Sequence, residues 1–210
     1  MTSVGLTGNY GMGKSTVVEM FRQLGAVTAD ADEIVDTLLK DESVLEKIRK
    51  AFGNDVFLKD GRLDRAHIAS IVFKDQAMRD ILEGIIHPLV FERIERFLKE
   101  TGMRGTEQVV VVEIPLMFEK GRIEGFHYTV AVHAAEEIVL QRLKAKGISR
   151  DAAAVRLKAQ MDITEKARLA DFAIDNSGSL EETRAQVREI YGKLMEHGYS
   201  GVKDGHHKRD

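Results

Sequence analysis

The sequence predicts an α/β protein: a doubly wound parallel sheet of about five strands with helices on both faces. Three observations predict it. A short apolar run, Val4-Gly5-Leu6, leads into Gly8-Asn9-Tyr10-Gly11-Met12-Gly13-Lys14-Ser15-Thr16; Val17, Met20, Phe21 and Leu24 then recur at i, i+3, i+4 and i+7, the spacing of one helix face. Val109-Val110-Val111-Val112 is an unbroken β-branched run of the kind buried on both faces in a parallel sheet. Strand-like and helix-like stretches go on alternating toward the C-terminus.

The glycine-rich segment fits G-x-x-x-x-G-K-[ST], a loop whose N–H groups turn inward around nucleotide phosphates. This makes the expected sheet one of the P-loop NTPase type. Gly8, Gly11 and Gly13 let the backbone bend. Together with Met12, Lys14, Ser15 and Thr16 they are the expected ATP-binding residues. Lys14 would reach the β- and γ-phosphates, and the Ser15 hydroxyl would take a place on Mg²⁺. The following helix adds its positive N-terminal end, and Gly25 stands where a helix-terminating glycine belongs.

The next run, Ala26-Val27-Thr28-Ala29, reads as a strand ending in Asp30-Ala31-Asp32, with a helix behind it on Ile34, Val35, Leu38 and Leu39. Residues from about 41 to 106 read as an inserted helical subdomain. Ser43 and Glu46 form a capping box, Gly53 closes that helix, and Asp60-Gly61 marks a turn. Apolar-periodic pieces at 68–73 and 81–86 are expected to break at His87-Pro88, because a residue before proline resists the α region. A helix then carries Val90, Ile94, Phe97 and Leu98 to Gly102. After the valine strand, 128–133 is a strand and 135–146 a helix; Ser149 caps another helix, running through Gln160. A last strand at 172–174 precedes Ser179 and Glu182, a second capping box, and a long final helix. The core is then about 1–40, 107–139 and 166–197, with a separate cationic helical segment at about 140–165 and 198–210 a flexible tail.

Composition narrows the function. With 210 residues the chain can bury one sizeable core. Its net charge of −3 gives no basic field for nucleic acid. It has no cysteine, which rules out disulfides and thiolate metal sites and suits a reducing cytoplasm. No apolar run approaches the ~20 residues of a membrane span, and the first strand leaves no room for a signal peptide. Oligomeric state is left open.

Three features beyond the loop point to phosphoryl transfer onto a small molecule. Asp30 and Asp32, taken as i and i+2 of a strand end, face one way, and a carboxylate there would accept the proton of an attacking hydroxyl. Asp32 reads equally well as a plain helix N-cap. Glu113 closes the valine strand, where it would orient metal-bound water, hold a substrate group, or simply pair with a nearby Lys or Arg. Arg142, Lys144, Lys146, Arg150, Arg156 and Lys158 make a cationic segment that either closes over the triphosphate or is largely a solvated face.

The ordered set of motifs resembles the dephospho-CoA kinases. It comprises Gly5–Ser15, Asp30-Ala31-Asp32, His87-Pro88, Pro115-Leu116-Met117-Phe118-Glu119 and the stretch from Ala170 through Asp171, Ile174 and Asn176 to Gly178, and it covers nearly the whole chain. The family's loop usually carries small residues where this chain has Asn9, Tyr10 and Met12. The resemblance implies transfer of the ATP γ-phosphoryl group to the 3′-hydroxyl of dephospho-CoA, the last step of coenzyme A synthesis, with Mg²⁺. It implies Asp32 as general base with Asp30 beside it, Lys14 and Arg142 on the migrating group, and Asn176 and Gly178 at the adenine. It also implies that Asp32 and His87 lie on the acceptor side and that the segment from about Leu140 to Gln160, within 140–165, is a mobile lid. The competing expectation is another small-molecule P-loop kinase acting on a nucleoside monophosphate or an alcohol. A guanine-dependent switch would need Asn-Lys-x-Asp, which the chain lacks.

Overall fold

The computed structural model describes residues 1–104, 108–119 and 125–199. The expected flexible tail therefore lies almost wholly outside the described residues. The chain divides into two compact units: Met1–Ala29 with Thr101 onward, and Asp30–Glu100.

The first unit is built on a five-stranded sheet of order β2-β3-β1-β4-β5, with β1 Thr2–Thr7, β2 Val27–Asp30, β3 Val109–Glu113, β4 Tyr128–His133 and β5 Phe172–Asp175. β1 is central and parallel to both neighbours: Val4 registers with Val111 of β3 and with Tyr128 of β4. β4 carries β5 in parallel, with Val132 opposite Ile174. Val109 through Val112 have no exposed surface, as the unbroken valine run predicts. β1 reverses its neighbours on the two sides, so the crevice beyond its carboxyl end is the place for a ligand.

Helices α1 (Lys14–Gln23) and α9 (Leu180–Tyr199) pack together over one face. Val17, Met20 and Phe21 of α1 meet Val187, Ile190 and Leu194 of α9 and Val4, Leu6, Val109 and Val111 of the sheet. Each such side chain contributes about 1.5–3 kcal/mol by leaving water. The capping box of α9 forms as expected: Ser179 N donates to Glu182 Oε2 at 2.7 Å, and Glu182 N to Ser179 Oγ at 3.2 Å. α6 (Glu136–Ala145) and α7 (Arg150–Lys158) pack on Met12 of the P-loop through Val139, Leu143 and Ala153, and α8 (Ile163–Leu169) packs against β4 and β5. Ser149 caps α7 through Ala152 N, as its position predicts. The continuation to Gln160 is overturned, since α7 stops at Lys158 and Asp162 starts a separate helix by accepting from Thr164 N and Glu165 N.

The second unit is helical: α2 (Ala31–Leu38), α3 (Glu42–Phe52), α4 (Arg65–Lys74) and most of α5 (Gln76–Gly102). Leu38, Val44, Leu45, Ile48, Val56, Ile68, Ile86, Val90 and Ile94 are buried there. Two expectations are corrected. The α3 cap is Asp41, which accepts from Ser43 N at 2.9 Å, so a shorter-range carboxylate displaces the Ser43/Glu46 box. The chain does not break at His87-Pro88 either: α5 runs 27 residues with Pro88 inside it. Proline removes one N–H and crowds the carbonyl four residues back, here that of Gly84. Ile86, Val90 and Ile94 recur every four residues as buried side chains, and their packing holds the rod together across the lost bond.

Candidate active site

The P-loop joins β1 to α1. Its end caps α1 with Gly13 at φ 86°, and no side chain occupies the cap. The first N–H groups of α1 thus remain turned outward at a positive helix end. A Cβ on Gly8 would run into the carbonyl oxygen of Val132, and one on Gly13 into Asn176 Nδ2. Both glycines are therefore required by close approach, and a main-chain cradle survives only with them in place.

Around the cradle the first unit assembles Lys14, Glu113, Arg142 and Asn176. Lys14 Nζ lies 3.7 Å from Glu113 Oε1, both side chains nearly buried. The pairing expected as an alternative for Glu113 is thus observed, and its partner is the P-loop lysine itself. Arg142, on α6, donates from Nη2 to the Asn176 carbonyl at 2.8 Å. Its Nη1 is buried without a hydrogen-bond partner among the described residues and stands 3.6 Å from where a Cβ on Gly13 would sit. A buried guanidinium nitrogen with open donors beside a phosphate-type loop is what an anionic ligand would satisfy.

Asn176 is a brace. Its Nδ2 donates to Met12 O at 2.8 Å, its Oδ1 accepts from Thr183 Oγ1 at 2.9 Å, and its main-chain N donates to His133 O at 2.7 Å. With its carbonyl held by Arg142, every polar atom of the residue is engaged within the protein. Gly178 is exposed two residues on.

A second polar cluster, missed by sequence reasoning, lies under the loop. Lys166 has no exposed surface; its Nζ is 2.7 Å from Glu119 Oε1 and 3.0 Å from Pro115 O, which also accepts from Thr7 Oγ1. Burial pushes the Lys166 ammonium below its ordinary value against the pull of Glu119. Glu119 Oε1 also accepts from Met161 N, while Glu119 Oε2 has no partner among the described residues. Lys166 falls in a charged stretch, Glu165-Lys166-Ala167-Arg168, that reads as solvated surface, so nothing local announces its burial.

The second unit holds Asp30, Asp32 and His87. Asp30 caps α2, its Oδ1 accepting from Asp32 N at 2.8 Å. Asp32 is therefore not the cap, and the two do not alternate along a strand: Asp32 is exposed in the first turn of a helix. His87 sits inside α5 rather than at a helix start, with Phe91 edge-on at 6.2 Å. It lines an apolar cavity of about 320 Å³ with Val35 of α2, Leu39 just after it, Ile68 and Val72 of α4, and Ile86. Arg65 lies at this cavity and pairs with Asp36.

The sheet order, the loop and the basic helix beside it define a P-loop kinase. The profile of the dephospho-CoA kinase family matches residues 2–182. A dephospho-CoA kinase of Aquifex aeolicus is 39 % identical over 92 % of this chain and 98 % of its own. One of Symbiobacterium thermophilum is 43 % identical over 91 % and 80 %. Among solved structures, a Thermus thermophilus protein superposes with TM-score 0.79 at 34 % identity, over 92 % of this chain and 97 % of that one. Dephospho-CoA kinase from Campylobacter jejuni does so at 0.69 and 29 %, over 93 % and 98 %. The chain belongs to the dephospho-CoA kinase family.

Proposed function

We propose that the chain moves the γ-phosphoryl group of ATP onto the 3′-hydroxyl of dephospho-CoA, giving coenzyme A and ADP. The observation that carries this reading is the convergence of the side-chain-free α1 N-terminus, Lys14 and the open Arg142 Nη1 on one loop. In this reading the cradle and Lys14 bind the triphosphate. Lys14 exchanges Glu113 for phosphate oxygens, and Arg142, already anchored on Asn176, stabilises charge on the transferring group. Asp32 takes the proton of the acceptor hydroxyl, and Asp30 fixes the helix turn that carries it. His87 and its cavity serve the acceptor side, and Gly178, with the main chain near Asn176, serves the adenine.

Mg²⁺ would be held by Ser15 Oγ with Glu113 near it, an oxygen set of the kind this ion prefers with phosphates completing it. It would supply charge neutralisation across the β- and γ-phosphates. No helix among the described residues is long and apolar enough to cross a membrane. That observation and the cysteine-free composition support work in the cytoplasm. The test is ADP release followed with and without dephospho-CoA, beside a panel of nucleoside monophosphates and simple alcohols. ADP formation dependent on dephospho-CoA is expected. Turnover with a nucleoside monophosphate alone would transfer the site to the competing kinase class.

A further inference from the structure

Two residues at the end of the α7 segment grip one residue of the P-loop. The Arg156 guanidinium carbon lies 4.9 Å from the centroid of the Tyr10 ring, and Arg156 Nη1 donates to the Tyr10 hydroxyl at 2.7 Å. Four residues on, Gln160 Oε1 accepts from Tyr10 N at 2.8 Å. Beside them the Met161 carbonyl accepts from Asn9 Nδ2 at 2.9 Å. The Tyr10 ring packs against the small core of Met12, Ala134, Val139, Leu143 and Ala153, which joins α6 and α7 to the loop. One aromatic residue thus offers its face, its hydroxyl and its amide to the same helical segment.

We propose that Tyr10 is a positioning residue that seats Arg156 beside the ATP phosphates. The inference rests on the reading that the triphosphate occupies the P-loop. The chemistry favours tyrosine at this place. A ring face attracts a guanidinium, and the phenol oxygen fixes its rotation, which a phenylalanine cannot do and an aliphatic side chain cannot begin to do. Arg156 is exposed and keeps further N–H donors in its planar fork after serving Tyr10. Held against the loop, those donors meet phosphate oxygens without first losing the freedom of a long mobile side chain.

If Tyr10 merely filled the small core, its loss would lower thermal stability and disturb both substrates alike. The seating role makes a different set of demands. Arg156→Ala and Tyr10→Leu should each raise the KM and the directly titrated Kd for ATP about tenfold. Both should leave the KM for dephospho-CoA unchanged. Tyr10→Phe, which keeps ring and amide, should recover most of the ATP affinity. The combined Tyr10→Leu/Arg156→Ala protein should be no worse than either single variant, because the two residues act as one.

Multiplying effects in the double variant, or an ATP affinity within about twofold of the parent in Tyr10→Leu, would overturn the proposal. If Tyr10→Leu does not fold, Tyr10→Phe against Arg156→Ala carries the same comparison: a Tyr10→Phe penalty that persists unchanged on the Arg156→Ala background overturns it. ATP titration of the parent protein separates the two levels. A parent that binds no ATP removes the P-loop reading itself, whereas a parent that binds ATP as tightly as Tyr10→Leu removes only the role of Tyr10.

Discussion

Arg142 Nη2 donates to the main-chain oxygen of Asn176 at 2.8 Å, and the side chain of that same asparagine holds the Met12 carbonyl at 2.8 Å. The arginine and the phosphate loop are therefore fixed to one residue, and the guanidinium is oriented before any ligand arrives. Arg142→Ala should lower kcat about 10²–10³-fold, the usual consequence of removing one preorganised charge-stabilising donor, with a smaller rise in the KM for ATP. Steady-state kinetics in both substrates will show this. A change confined to KM would make Arg142 a binding residue.

Asp30 and Asp32 are close in sequence and serve different ends. Asp32→Asn should reduce kcat by about 10²–10⁴-fold while ATP still binds, because only proton acceptance is lost. Asp30→Ala should instead cost about 1 kcal/mol of stability through the α2 cap. Single-turnover rates and denaturant midpoints of the two proteins distinguish these outcomes. Near-normal turnover in Asp32→Asn would remove it from the chemistry.

The Lys166–Glu119 pair is a stability element under the loop. Lys166→Met should destabilise by about 3 kcal/mol, because Glu119 keeps its charge in a nearly closed site. Adding Glu119→Gln should restore much of the loss. Chemical denaturation of the parent, the two single variants and the double variant measures the coupling. Strictly additive losses would mean that the pair contributes nothing as a pair.

His127 predicts a pH dependence. Its Nδ1 accepts from Ser3 N at 3.0 Å and lies 2.6 Å from Ser3 Oγ. His127 is exposed overall, but partial desolvation of its imidazole, with the N-terminal ammonium next, holds the ring below its ordinary value. Between that lowered value and about 6.5 the unfolded chain binds a proton that the native one refuses. The contribution is therefore complete above about pH 6.5 and is lost as pH falls through the window. Urea midpoints should drop between pH 7.5 and 5.5, and His127→Asn should flatten that slope; an equally steep slope in the variant would place its origin elsewhere.

Much of the frame was readable without coordinates, and the reasons are local. The valine run, the P-loop spacing and the Ser149 and Ser179 caps each specify their structure within a few residues, and each is found where expected. The failures come from competition between signals. Pro88 announced a break, but tertiary packing of Ile86, Val90 and Ile94 overrode it. Asp32 carried the signature of a cap, and Asp30, two residues earlier, took the position. Lys14 with Glu113, and Lys166 with Glu119, are partners far apart in the chain, and no periodicity or spacing encodes such a meeting.

The central strand has a consequence for biogenesis. β1 leaves the ribosome before either of its partner strands, since Thr2 pairs with Val109 and Val4 with Tyr128, so its edges wait for β3 and β4. The helices of Asp30–Glu100 find their contacts among near neighbours and can condense in that interval, since local contacts form faster than distant ones. An apolar ribbon with two unsatisfied sides persists meanwhile, and nascent chains stalled before Val109 should be the ones that recruit chaperones and aggregate.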